Sequence, residues 1–303
     1  MPTASRTIVI GSRGSQLALW QANHIAKHLD EAGIPTRIEV IKTTGDHLQT
    51  ASLVQAGGKG LFTKEIEDAL LAGAIDLAVH SSKDLPTETP SGLAIAAIPR
   101  REDARDALVG RKMSELPHGA RVGTSSGRRA AQLKAMRPDL VIEPVRGNVD
   151  TRLRKLHSGQ YDAIMLAAAG LLRLGLADQI AEIFSPEQMC PAAGQGALAI
   201  ETREHDEAFE ICRLLNHEPS WQAVACERTA LQALGGGCQL PIGAYAEVVG
   251  TELTLNAAVI TPDGSRVLRF SGRGDTFSAE TLGERAAHDL LALGARDILE
   301  TLS

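Results

Sequence analysis

Residues Arg121–Ala135 read RVGTSSGRRAAQLKA. Arg121–Gly123 reads as a short strand, Thr124–Ser126 as a hydroxyl-rich break, and Ser126–Ala135 as a helix. Strand, loop and helix in that order make the repeating unit of an α/β fold. The same rhythm runs outward in both directions. Upstream, strands are expected at Thr7–Ile10, Thr36–Ile41, Ile75–His80 and Leu93–Ile98, with helices at Gln16–Leu29 and Thr63–Leu71. Downstream come strand Leu140–Pro144, helix Asn148–His157, strand Ala163–Ala167 and a helix starting at Gly170–Leu174. After about Trp221 the pattern changes. A helix over Ala223–Ala233 enters a glycine loop, followed by alternating strands at Gly243–Val249, Glu252–Val259 and Arg266–Gly272 and a closing helix at Thr281–Leu293.

This pattern predicts an α/β protein of three domains. Residues 1–99 with 194–216 form one α/β lobe, 100–193 a second, and 217–303 a small α+β domain. The boundaries fall at Pro99–Asp103 and in Met189–Gly196, where the chain reads as crossing back. Ligands in such folds lie at the carboxyl ends of strands, where loops meet helix N-termini.

Composition narrows the function. The 303 residues carry a net charge of −6, which argues against a nucleic-acid partner. Aromatic residues make up only 3%, too few for base-stacking platforms. The start, MPTASRTIVIGSRGS, has no charged segment leading into an apolar one, so it does not read as a secretory signal. Apolar stretches such as Ala163–Leu172 are too short to span a bilayer, so no membrane association and a cytoplasmic location are expected. Cys190, Cys212, Cys226 and Cys238 show no C-x-x-C spacing, and no histidine pattern completes a metal site. Cys212 and Cys226 read as small buried hydrophobes; Cys190, before Pro191, is open.

Charge is unevenly spread. Arg121–Lys155 holds nine basic and three acidic residues, whereas Glu201–Ser303 holds eight arginines and sixteen acids. A basic run is often only a solvated face. Here it is mostly arginine, interleaved with Gly, Ser and Thr at helix starts, and arginine's planar fork suits carboxylates and phosphates. Arg128 and Arg129 stand in a first helical turn, where cations oppose the helix dipole. An anionic ligand would resolve that conflict. Arg146, Gly147 and Arg152 extend the site, with Asn148 placed to cap the helix that carries Arg152.

Other stretches have two readings each. Gly11-Ser12-Arg13-Gly14-Ser15 is an anion site at a helix start or plain capping by Ser15. Gly57-Gly58-Lys59-Gly60-Leu61-Phe62 lets backbone approach a ligand or is a surface loop; it lacks Walker A spacing. In His80-Ser81-Ser82-Lys83-Asp84-Leu85-Pro86, Lys83 and Asp84 form a functional charge pair or an exposed turn, and His80 reads as a core residue ending its strand. Gly235-Gly236-Gly237-Cys238 presents either a reactive thiol or a small turn residue.

Taken in order, these blocks resemble the porphobilinogen deaminase (hydroxymethylbilane synthase) family over essentially the whole chain. The resemblance rests on Arg13 and Ser15 with Gln16–Trp20, on Gly57–Phe62, and on Ala78–Ser81 with Lys83-Asp84. It continues through Val122–Ser126 with Arg128-Arg129, Arg146–Val149, Pro191–Gly196, and Gly236–Gln239 before Pro241. It implies two lobes like type 2 periplasmic binding proteins around a cleft, plus the small domain. It also implies a monomeric transferase that joins four porphobilinogen molecules head to tail, each losing ammonia, to give hydroxymethylbilane for tetrapyrrole and haem biosynthesis. A dipyrromethane cofactor, bound by a thioether to Cys238, would lie in the cleft.

Each pyrrole carries an acetate and a propionate, so the site must hold many carboxylates. The resemblance therefore assigns Arg13, Ser15, Ser81, Lys83, Thr124, Ser125, Ser126, Arg128, Arg129, Arg146, Gly147, Arg152, Arg173 and Gln195 to cofactor or substrate binding. Lys59 and Phe62 would border the cleft, and Asp84 would be the catalytic acid facing pyrrole N–H groups. Gln55 stands where many members have lysine, and Gly127 where a larger apolar residue is common. The rival reading is a two-lobed sensor or solute-binding module that captures an anion without catalysis; such a module would need neither Cys238 nor Asp84.

Overall fold

The computed structural model describes residues 6–43, 63–236 and 240–301. Five strands make its first sheet: β1 (Ile8–Ser12), β2 (Thr36–Val40), β3 (Leu77–Ser81), β4 (Leu93–Ala97) and β10 (Leu198–Arg203). Their order is β2-β1-β3-β10-β4. β1 runs parallel to β2 and β3, while β10 is antiparallel to both of its neighbours. Both faces are covered, which is why strands such as β3 are near-continuous apolar runs. Ile8, Ile10, Ile25, Leu29, Leu77 and Ile200 pack together, and Ile66, Leu70, Ile75 and Leu93 form a separate cluster. Each such fully buried side chain contributes about 1.5–3 kcal/mol.

The second sheet contains β5 (Asp106–Val109), β6 (Arg121–Gly123), β7 (Val141–Glu143), β8 (Ala163–Ala167) and β9 (Ile180–Ile183). Its order is β7-β6-β8-β5-β9, with β6 parallel to β7 and β8, and β5 antiparallel to β8 and β9. Position by position this is the plan of the first sheet. Three parallel strands come from consecutive βα units, and one reversed strand is inserted before the edge. In the first sheet the reversed strand, β10, is last in sequence; in the second, β5 is first.

The third sheet is an antiparallel meander, β11 (Ile242–Val249), β12 (Glu252–Ile260) and β13 (Val267–Asp275). The helices Glu218–Ala233 and Ala279–Ala292 bury Ala223, Cys226, Ala230, Leu282, Ala286 and Leu290 in the same core as Leu253 and Leu255. The chain divides into two compact units, residues 1–101 with 197–218, and 102–196 with 219–303. The second and third sheets thus share one unit. Part of the reason is Glu227, wholly buried, whose carboxylate accepts hydrogen bonds from the Gly194 and Ala246 backbone amides at 2.7 Å each.

The structure adds three strands unread in the sequence, β5, β9 and β10, and the short helices Glu207–Arg213 and Ala295–Glu300. Among the described residues, no helix is long and apolar enough to cross a membrane.

Candidate active site

In the first unit the expected site residues gather where β1 and β3, paired in parallel, reach their carboxyl ends. β1 leads through half-buried Arg13 to Ser15, whose Oγ accepts from the Ala18 amide at 3.3 Å and caps the helix Gln16–Glu31. β3 leads into one 3₁₀ turn, Ser82–Asp84, that carries half-buried Lys83 and exposed Asp84. The turn is held from several sides. Gln21, buried in the first helix, donates to Ser81 Oγ at 2.9 Å, and the Ser82 amide donates to the Ala197 carbonyl at 3.0 Å. Behind it, His80 Nε2 lies 3.0 Å from Glu201 Oε2, with both residues buried. His80 is therefore a satisfied core residue.

In the second unit the expected site residues sit at the carboxyl ends of β6, β7 and β8. The Thr124 amide bonds the Glu143 carbonyl of β7, and exposed Ser125 donates to the Val145 carbonyl at 2.8 Å. Ser126 Oγ accepts from the Arg129 amide at 3.4 Å and caps the helix Gly127–Met136. Gly147, at φ +107°, occupies a left-handed conformation that favours glycine. Its carbonyl accepts from Arg152 Nε at 2.7 Å, and the Arg146 carbonyl accepts from Lys155 Nζ. Asn148 occupies the N-cap position of the helix Val149–His157, but its side chain makes no capping bond. This differs from the capping role expected of it.

The dipole conflict at Arg128 and Arg129 is met by the chain itself. Asp106, at the head of β5, is fully buried beside Ala167 at the end of β8. Its Oδ2 accepts from Arg128 Nη1 at 2.7 Å and its Oδ1 from Arg129 Nε at 2.8 Å. Burial opposes its ionisation, but the two guanidinium groups override that and hold the carboxyl well below the usual carboxylate range. Gln195 Nε2 donates to the same carboxylate at 2.9 Å and to the Ala104 carbonyl at 2.7 Å, while its Oε1 accepts from Arg129 Nη2. Arg173, also buried, donates to the Gly196 carbonyl at 2.7 Å. Burial pushes its guanidinium down to about 10, Glu102 acts the other way, and it stays charged at neutral pH. Gly196 has φ +84°, and a Cβ there would strike the Glu102 carbonyl.

Other members of the basic run are used locally. Arg137 is paired with Asp139 at 2.7 Å, and Arg154 faces Asp150 on the exposed side of its helix. That part is the solvated face a basic run usually is.

Sequence reasoning missed Asp106, Gln21 and Glu201. For Asp106 the one available signal was an acid opening the wholly apolar run Ala107–Val109. Cys190 is settled: it is buried, its thiol is pushed up to about 12 by burial, and Gln132 bonds both its amide and its carbonyl. Cys212 and Cys226 are buried as expected. Gln55, Lys59, Phe62 and Cys238 lie outside the described residues.

The fold and these two clusters define a mixed α/β protein whose strand ends present arginine, hydroxyl and backbone N–H donors suited to carboxylates. The chain belongs to the porphobilinogen deaminase family. The model of that family's dipyromethane cofactor binding domain matches residues 8–211, and that of its C-terminal domain matches 221–292. Curated relatives named porphobilinogen deaminase include one from Thermus thermophilus, 50% identical across 97% of this chain and 98% of that protein. One from Deinococcus radiodurans is 47% identical across 98% and 99%. Among solved structures, the methionine-binding protein MetQ is similar at 14% identity and a TM-score of 0.45, over 71% of this chain and 90% of that one. That likeness is too loose to add to the assignment.

Proposed function

We propose that this protein is a transferase that joins porphobilinogen molecules head to tail with release of ammonia, giving hydroxymethylbilane. The carrying observation is the near-full-length identity of about half to proteins of that name, across both family domains. Residues 1–99 with 194–216 and 100–193 serve as the binding lobes, and 217–303 as the domain carrying Cys238. The enzyme works as a cytoplasmic monomer on a small-molecule substrate.

The donor set fits a dipyrromethane group, whose rings carry only carboxylate side chains and N–H groups. Bound as a thioether to Cys238, it supplies the primer on which the first substrate ring is placed. Arg13, Lys83, Arg146, Arg152 and Arg173, with the Arg128–Arg129 pair, bind acetate and propionate groups. Ser15, Ser81, Thr124, Ser125, Ser126, Gly147 and Gln195 add neutral hydrogen bonds. Charged hydrogen bonds contribute roughly 1.5–3 kcal/mol each, so several are enough to register a polyacidic chain.

Asp84 has a different task. Its exposed carboxylate faces pyrrole N–H groups, stabilises the positive charge that develops on the substrate as ammonia leaves, and moves a proton around that step. The turn Ser82–Asp84, held by Gln21 and the Ala197 carbonyl, supports such positioning.

Intact-protein mass spectrometry tests this directly. The protein should be heavier than its sequence by two pyrrole units, and Cys238→Ser should lose the excess. An unmodified protein that binds small organic acids without turning over porphobilinogen would mean a sensor module instead.

A further inference from the structure

We propose that Asp106 is a positioning residue of this site: its one buried carboxylate locks the Arg128–Arg129 pair and turns a single free guanidinium edge toward the ligand. This rests on the reading of the second-unit cluster as a carboxylate-binding site.

The two arginines are not equivalent. Arg129 has every nitrogen engaged: Nε on Asp106, Nη1 on the Met165 carbonyl and Nη2 on Gln195. Arg128 commits only Nη1, to Asp106 and to the Cys190 carbonyl at 2.6 Å. Its Nε–Nη2 edge makes no hydrogen bond among the described residues, although the residue is only 4% exposed. A guanidinium anchored through one terminal nitrogen, with the opposite fork open, is arranged to take a carboxylate through two parallel N–H bonds. A purely structural ion pair would spend that fork on the protein.

Charge points the same way. Two buried guanidinium groups in one first turn repel each other and the helix dipole. Asp106 cancels one of the two charges, so the pair presents one net positive charge, matched to one ligand carboxylate. Gln195 adds a neutral brace to the same oxygen as Arg129 and fixes the clamp to the Ala104 carbonyl. Arg129 and Gln195 are thus the frame, Arg128 is the reading group, and Asp106 sets the geometry between them.

The test compares wild type with Asp106→Asn, which keeps the shape and removes the charge. Covalent loading is read by intact mass, and KM and kcat for porphobilinogen are normalised to loaded molecules. Asp106→Asn should carry the two-pyrrole adduct in a smaller fraction of molecules, and its loaded molecules should show a KM raised about tenfold or more, as misplaced binding groups do. Wild-type loading and KM in the folded molecules, with only the folded fraction reduced, would overturn the proposal. If Asp106→Asn does not fold, Asp106→Glu, which keeps the charge and moves the carboxylate by one methylene, decides. A raised KM there upholds positioning, and a wild-type KM overturns it. A wild-type protein that carries no adduct brings down the functional reading itself, and this inference with it.

Discussion

The reversed strands β10 and β5 occupy the same position in two sheets of the same plan, and each buries one acid. In the first sheet, Glu201 of β10 holds His80, near the end of the strand that leads into the turn bearing Lys83 and Asp84. In the second, Asp106 of β5 holds Arg128 and Arg129. The scaffold solves one problem twice, fixing a polar group at a strand end from the neighbouring strand, and then diverges. The first sheet buries its histidine and leaves the Asp84 carboxylate exposed in a turn. The second sheet holds two buried guanidinium groups directly. On the proposed reading, chemistry would fall to the exposed carboxylate and charge recognition to the buried guanidinium groups.

The most severe way to probe that division is Asp84→Asn. Asp84 is exposed and its turn is held by bonds from Gln21 and the Ala197 carbonyl rather than by its own carboxylate. Turnover should fall by roughly 10²–10⁴-fold, the usual contribution of a positioned acid–base group, while the urea midpoint stays at the wild-type value. Steady-state rates alongside a urea melt check both halves. Near-normal kcat would move the chemistry elsewhere, and a large midpoint shift would make Asp84 structural.

The two buried acids also explain what was legible in the sequence and what was not. The βα units were readable because β1, β3, β6 and β8 are apolar runs leading to glycine or hydroxyl breaks at helix caps such as Ser15 and Ser126. β5 and β10 escaped because each contains an acid where a buried strand should be apolar: Asp106 in DALV and Glu201 in LAIETR. Those acids are tolerated only because partners far along the chain satisfy them, 22 and 23 residues away for the arginines and 121 for His80. Nothing local in either strand announces that pairing. The same blindness affected the arginines. Their unfavourable place at a helix start was visible, and the natural inference was an external anion. The first anion they meet is Asp106, which leaves the Nε–Nη2 edge of Arg128 uncommitted among the described residues. Which basic residues are used locally, such as Arg137 on Asp139, could not be read from the run either, because it depends on the turn that follows the helix.

Stability separates the two acids next. Asp106→Asn strands two buried, permanently charged groups with less than their matching anion, and removing one member of a buried ion pair costs about 3–5 kcal/mol. Glu201→Gln leaves a single ring that can still hydrogen-bond the new amide, so the loss should be nearer the 1–3 kcal/mol typical of a disturbed buried polar group. Urea denaturation of both variants at neutral pH gives the comparison. Equal losses would show that the two strand ends are electrostatically alike.

The smallest effect, and the one that isolates the charge of Asp106, is in acid. Its carboxyl in the folded protein is held below the ordinary value by Arg128 and Arg129, whereas unfolded it titrates near about 3.9. A lowered folded pKa means that the unfolded chain takes up the proton first. The stabilisation Asp106 contributes is therefore fully present above about pH 4 and drains away as the pH falls below that value toward the folded pKa. Other acids add to the acid limb, so the informative quantity is the difference between wild type and Asp106→Asn. That difference should be constant from neutral pH down to about pH 5 and should shrink on going below about pH 4, because the wild type is losing what the variant never had. Urea midpoints taken at intervals across that range measure it. A gap that holds its full width to the acid end would mean the loss in Asp106→Asn comes from packing or hydrogen-bond geometry rather than from a carboxylate held between two arginines.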